Sequence, residues 1–133
     1  MQVRLIADEP TGVSAGALVV PFYADAPLEG VSKEVDAALG GVIIAALTSG
    51  EVRGKPGDHV LAYATGRPFQ RVLAISLGDR ASFQPNLLAR YAGSAVRYLG
   101  RRNVETIAIA LPPEASGQEA SCASFVEIGR AHV

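Results

Sequence analysis

Few side chains of this 133-residue sequence could do chemistry, and they are scattered along the chain. A metal site needs several His, Cys or carboxylate ligands at close spacing. His59 begins a predicted strand, whereas His132 and the single cysteine, Cys122, lie far away in the C-terminal tail. The ligand count therefore predicts no metal site on this chain.

A serine nucleophile requires a histidine base within hydrogen-bonding reach. Ser76 falls inside a predicted buried strand and Ser82 in a turn, and His59 is the only histidine outside the tail. The G-x-S-x-G motif of a nucleophile elbow is absent. Both serines are therefore interpreted as structural.

The carboxylates that could form an acid–base pair fall in predicted loops or on a helix surface. Solvated surface is the default position for such residues. We therefore assign no catalytic, cofactor-binding or metal-binding residue. The carboxylates considered are Asp8, Glu9, Asp25 and Glu29 in loops, Glu34 on the flank of a helix and Asp36 on its outer side.

An arginine row on one predicted helix, formed by Arg90, Arg97, Arg101 and Arg102, could contact phosphate groups. No aromatic platform or known nucleic-acid motif accompanies these arginines. The net charge of the whole chain is -1, which does not favour polyanion binding. The row is interpreted as a solvent-facing or subunit-facing surface, and nucleic acid is not expected as a partner.

The elements that would position these residues are organised around residues 70–79. Val72 to Leu77 form a nearly unbroken apolar run, which predicts a strand buried on both faces. Gly78 ends that strand, and an amphipathic helix is predicted over residues 85–102. A buried strand that turns into a helix is the basic unit of an α/β domain. The turn lacks the glycine pattern of a phosphate-binding loop, so it is interpreted as structural.

Further strands are predicted at residues 2–7, 17–20, 59–64 and 104–111, and a helix is predicted at residues 31–48. Val35, Ala38 and Val42 lie on the predicted core stripe of that helix. Gly40-Gly41 in its middle indicates a kink, a break into two helices or a close backbone approach. The pair also resembles the glycine-rich loop of macro domains, which bind ADP-ribose, but a packing role is favoured.

The composition is typical of one soluble α/β domain, with 49% hydrophobic and 19% charged residues. No apolar run approaches the ~20 residues that span a bilayer, and no signal peptide is recognised at the N-terminus. Since a lone cysteine cannot form an internal disulfide, a reducing cytoplasmic location is expected. We expect no membrane partner.

Several segments, taken in their order and spacing, resemble the N-terminal domain of the leucine (cytosol) aminopeptidase family of two-metal exopeptidases. The resemblance covers residues 1–113. Residues 114–133 are predicted to be an irregular tail, interpreted as a truncation or as adapter-derived sequence. The segments that carry the resemblance are residues 17–22, 35–41, 49–57, 71–78 and the helix around residues 90–97.

The resemblance implies a macro-domain-like α/β fold with three layers, in which helices flank a mixed sheet of about five to six strands. It also implies a parent enzyme that removes N-terminal residues, preferably leucine, from peptides. In that family two divalent ions, zinc or manganese, activate a water molecule. They bind a lysine and several carboxylates of a C-terminal domain.

This sequence contains no motif of the N-T-D-A-E-G-R type, and its only lysines, Lys33 and Lys55, are assigned to other elements. No metal ligand is therefore transferred to this chain, and we expect it to be inactive alone. The resemblance implies a role in hexamer assembly and active-site access, with the catalytic domain and other copies as partners; some members of the family also bind DNA. The alternative is a free-standing macro-like module that binds ADP-ribose or a related nucleotide.

Overall fold

The computed structural model describes residues 2–6, 15–64 and 69–115. Over these residues, one mixed five-stranded sheet has the strand order β1-β5-β2-β4-β3. The first four of these strands are parallel to their neighbours, and β3 runs antiparallel at the edge. The strands are β1 (Gln2–Ile6), β2 (Ala15–Phe22), β3 (His59–Tyr63), β4 (Phe69–Ser76) and β5 (Thr106–Ala110), and the α-helices are α1 (Gly30–Ala38), α2 (Val42–Thr48) and α3 (Asn86–Gly100).

The central strands β2 and β4 are buried because helices cover both faces of the sheet. Leu73 and Ile75 of β4 point into a core cluster shared with α3. Val72 and Ala74 point the other way, into a cluster shared with α1 and α2. The alternation explains why the whole apolar run is buried. The predicted three-layer, macro-like α/β fold is confirmed.

Helix α3 matches its predicted pattern. Leu88, Ala92, Ala95 and Leu99 are at most 1% exposed and pack against the core. The helix ends at Gly100, and Asn103 takes a left-handed conformation, with φ of 60°. No described helix has the length and apolar character needed to cross a membrane.

The continuous helix predicted over residues 31–48 is instead two helices. Gly40 and Gly41 both have φ of 83°, a left-handed conformation that favours glycine. A Cβ atom at either position would have no neighbour within 4 Å, so the favoured packing role of this pair is wrong. The break also shifts the core stripe, because Val42 is 37% exposed while Ile43 is buried.

Asp36, predicted to be solvated, is only 2% exposed. Its Oδ1 accepts a hydrogen bond of 2.6 Å from the backbone N–H of Ile43, in the first turn of α2. The first N–H groups of a helix have no acceptor within the helix. Because the chain breaks at Gly40-Gly41, the start of α2 lies against this carboxylate. One straight helix over residues 31–48 would not bring the two together.

Strand β2 continues past its predicted end at residue 20 and includes Pro21. Phe22 accepts a hydrogen bond through its C=O from Leu77, which follows β4. Since alternate residues of a strand face opposite neighbours, the nitrogen of Pro21 faces the β5 side, and the pairing with β5 ends at Val19. Proline is tolerated there because no ladder hydrogen bond is lost.

The predicted hairpin of residues 59–77 is confirmed as the antiparallel pair β3–β4, in which His59 is opposite Ile75. The connecting residues 65–68 lie outside the described part. Residues 113–115, where the predicted domain meets the predicted tail, form a short 3-10 helix whose Ala115 is buried against Leu88. Residues 116–133 lie outside the described part.

Candidate functional site

A crevice of about 430 Å³ lies at the carboxyl ends of β2 and β5. Its walls are the chain leaving β2 at Phe22 and Tyr23, the start of α1, and the Pro112-Pro113 segment that follows β5. In open α/β sheets, ligands bind outside the carboxyl ends of the strands. The crevice is therefore our candidate functional site.

The start of α1 lines this crevice with Gly30, Val31 and Ser32. The backbone N–H groups in the first turn of a helix have no acceptor within it, and the helix dipole is positive there. The Ser32 hydroxyl donates a 2.5 Å hydrogen bond to the C=O of Pro21, which ties α1 to the end of β2. The helix start is thus held in place with N–H donors in its first turn.

Arg80 connects three segments at the rim of the crevice. Its Nη1 and Nη2 donate to Glu29 Oε1 and Oε2 at 3.2 and 3.0 Å, in a bidentate pair. Its Nε lies 3.3 Å from Glu114 Oε1, and its guanidinium carbon lies 4.8 Å from the centre of the Tyr23 ring. The side chain therefore joins the loop before α1, the turn after β4 and the segment after β5.

The electrostatics of this cluster differ between its exposed and buried parts. The hydrogen bonds from Arg80 lower the pKa of the exposed Glu29 carboxyl. Burial, and then the nearby Glu114 carboxylate, raise the pKa of the Tyr23 hydroxyl. Tyr23 is 6% exposed, and its hydroxyl lies beside the Glu114 carboxylate without a well-aligned hydrogen bond. Glu114 Oε2 is likewise buried without a well-aligned hydrogen bond, and Arg80 Nε has only its ion pair with Glu114 Oε1. The tyrosine hydroxyl, the guanidinium and the carboxylate therefore form a small polar cluster beside the crevice.

Two of the serines and histidines considered from sequence lie elsewhere. Ser76 donates its hydroxyl to the C=O of Gly54 at 2.6 Å and accepts from the N–H of Gly78 at 3.0 Å, so both contacts of this buried hydroxyl lie within the fold. The ring of His59 packs against Tyr98, with 4.6 Å between ring centres, outside the crevice.

Some of the remaining candidate residues lie at the crevice, and others do not. Glu29 lines it, and Asp25 is exposed and accepts a 3.0 Å hydrogen bond from the backbone N–H of Arg80. Glu34 and Ser82 are exposed, while the Gly40-Gly41 pair does not line the crevice. Asp8, Glu9, Cys122 and His132 lie outside the described residues.

Sequence reasoning missed Tyr23, and it treated Arg80 only as part of a turn. Their positions in the sequence could have indicated them, because both residues follow predicted central strands. The carboxyl ends of such strands form the edge of the sheet where α/β proteins bind ligands. Over the described ranges, no group of three or more His, Cys, Asp or Glu side chains is placed to hold a metal ion. The resemblance assigns the two divalent ions to a C-terminal domain and not to these residues.

Comparison with known proteins assigns this sequence to a family. The model of the cytosol aminopeptidase family, N-terminal domain, matches residues 19–129. A probable cytosol aminopeptidase from Xylella fastidiosa (strain 9a5c) is 35% identical over 100 residues, which cover 74% of this chain and 20% of that protein. The chain thus spans about a fifth of the length of this relative.

Two solved structures share the fold. A tomato leucine aminopeptidase mutant, K354E, superposes with a TM-score of 0.73 and 16% identity, over 98% of this chain and 27% of that one. The macrodomain of Mycobacterium tuberculosis DarG gives a TM-score of 0.68 at 13% identity, over 97% of this chain and 93% of that one. Because the family model matches residues 19–129, the chain belongs to the cytosol aminopeptidase family, as its N-terminal domain.

Proposed function

We propose that this domain is the non-catalytic part of a metal-dependent leucyl aminopeptidase, in which it supports assembly of the hexamer and access to the active sites. The family match over residues 19–129 carries this proposal. The parent acts on peptides in the cytoplasm through two divalent ions, zinc or manganese, which its catalytic domain binds. The name of the Xylella relative and its length, of which this chain spans 20%, support such a parent.

The first expected result is that the purified chain releases no product from leucine p-nitroanilide in the presence of manganese or zinc. The described residues place no group of three ligands for a metal-activated water. The measurement is nitroaniline absorbance against a metal-only blank. Turnover that persists through repurification would contradict the proposal.

A domain exchange tests the assembly role directly. The matching segment of the Xylella relative is replaced by this chain, and the control replaces it with the DarG macrodomain. We expect the first chimera to keep the assembly mass and activity of the unaltered relative within a few-fold. The control should lose the assembly, because it shares the fold at only 13% identity and so presents different surface side chains. Equal behaviour of the two chimeras would show that only the shared fold matters.

The crevice supports a second candidate, the binding of ADP-ribose or a related nucleotide. The N–H groups of the first turn of α1 suit a diphosphate, as helix starts commonly do. Tyr23 lines the crevice, and its hydroxyl offers a further polar contact. The Glu29 carboxylate opposes an anion, but Arg80 compensates its charge through the bidentate pair.

Calorimetry with ADP-ribose tests this second candidate. Val31 lines the crevice at the first turn of α1, so Val31→Glu places a negative charge beside the expected diphosphate. Val31→Gln is the matched control of similar size without the charge. We expect micromolar binding that the Glu variant weakens at least tenfold and the Gln variant largely retains. If the unaltered chain gives no heat of binding with ADP-ribose, the nucleotide-binding candidate is wrong. The aminopeptidase proposal is unaffected by that result.

A further inference from the structure

A second groove lies between α3 and the edge strand β3, away from the crevice. It contains a cavity of about 250 Å³ lined by His59, Ser94, Arg97 and Arg101, with Leu73 and Ile75 of β4 also on its walls. A smaller adjoining cavity of about 50 Å³ shares Ser94 and continues to Arg90. Neither cavity shares a lining residue with the crevice.

The cations of this groove follow one face of α3. Arg97 and Arg101 lie four residues apart, so they are neighbours on the helix surface, and Arg90 lies seven residues before Arg97. Within the described chain, none of these three guanidinium groups forms an ion pair with a carboxylate. Like charges at this spacing repel each other and destabilise a helix slightly. An anion bound between them would reverse that effect.

No carboxylate lines the groove to neutralise these cations, as far as the described residues extend. Asp58 is the acidic residue next to His59, and its Oδ2 already accepts from the N–H groups of Gly54 and Lys55 at 3.1 Å each. The walls at Leu73 and Ile75 are apolar, so they exclude water and strengthen the field from the charges. The groove is therefore a concentrated positive region on a chain of net charge -1.

The side chains lining the groove favour a phosphate group over a base. Guanidinium groups match phosphate oxygens with paired hydrogen bonds, and a hydroxyl and an imidazole N–H add further donors. The aromatic ring nearby is Tyr98, which Arg102 covers at 3.6 Å and the His59 ring contacts at 4.6 Å. A nucleobase would therefore have to displace one of these neighbours to stack on Tyr98.

We propose that this groove binds a small phosphomonoester, with its phosphate held by Arg97 and Arg101 and contacted by His59 and Ser94. The cavity of about 250 Å³ lies just below the ~300 Å³ at which drug-sized pockets begin, which suits a small ligand. This site is independent of the aminopeptidase assignment and of the nucleotide candidate, because it lies in a different part of the molecule.

The test is a titration of the 15N-labelled chain with glycerol 3-phosphate and with inorganic phosphate at low ionic strength. We expect saturable amide shifts at residues 94–101 and 57–59, and a melting temperature that rises with phosphate. The variant Arg97→Gln/Arg101→Gln should weaken binding at least tenfold, because two charged hydrogen-bond donors are lost. Both arginines are exposed, so the variant should fold normally.

The matched control is Arg4→Gln/Lys33→Gln, which removes the same charge from β1 and α1. It should bind phosphate as the unaltered chain does. Equal weakening in the two variants, or shifts that never saturate, would overturn the proposal in favour of general charge screening. Tighter binding of a short DNA duplex that also requires Arg90 and Arg102 would overturn it in favour of a nucleic-acid surface.

Discussion

Replacing Gly54 with alanine is expected to lower the free energy of unfolding by about 3 kcal/mol or more. Gly54 has φ of 88°, where a side chain is strained. A Cβ atom there would lie 2.5 Å from the Cβ and 3.1 Å from the Cα of Ala24. The Ala24 backbone cannot yield easily, because its N–H donates a 2.9 Å hydrogen bond to the C=O of Gly78.

Gly57→Ala is the matched control in the same loop. Gly57 has φ of 94°, but a Cβ atom there would meet nothing within 4 Å. Its cost should therefore be conformational only, about 1 kcal/mol. Urea unfolding followed by circular dichroism measures both variants. Equal losses would contradict the close approach of Gly54 to Ala24.

The Gly54 substitution should also disturb the crevice. Ala24 directly follows Tyr23, so displacement of Ala24 moves the ring that packs beneath Arg80. The C=O of Gly54 additionally accepts the hydrogen bond from Ser76, at the end of β4. This loop therefore braces the carboxyl ends of β2 and β4, and the close approach of Gly54 to Ala24 leaves no room for a side chain there.

Asp36→Ala is the second large effect, with an expected loss of about 2 kcal/mol in the free energy of unfolding. The substitution removes the 2.6 Å hydrogen bond to the N–H of Ile43 and leaves that donor buried without a partner. Ile43 is 1% exposed, so water does not readily replace the carboxylate. Loss of this contact should loosen α2 and, with it, the cover over one face of the sheet.

Asp36→Asn separates the acceptor from the charge. Asparagine keeps an oxygen at the same place, so it should retain most of the stability and lose only about 0.5 kcal/mol of interaction with the helix dipole. Thermal and urea unfolding of the two variants provide the comparison. If the alanine variant lost less than the asparagine variant, the role of Asp36 at the start of α2 would be wrong.

The spacing of apolar residues along the chain predicted the elements whose buried side chains recur at a regular interval. In α3, apolar residues such as Leu88 and Leu99 recur at helical spacing, and the polar side chains between them leave only one face to bury. In β4, the run around Leu73 is apolar on both faces, which suits only a strand covered on both sides. Gly40 and Gly41 were recognisable as a disruption, but not as two left-handed residues in open space.

The sequence alone thus determined the strands, the long helix and the family resemblance, because each of these depends on the spacing of residue types along the chain. The make-up of the candidate sites became visible only in the tertiary structure. Tyr23, Arg80 and Glu114 come from three distant segments, and His59 faces Arg97 and Arg101 only because β3 pairs at the edge beside α3. Local spacing specifies which face of an element is apolar, whereas contacts between distant polar residues depend on how the elements pack, which no short-range pattern encodes.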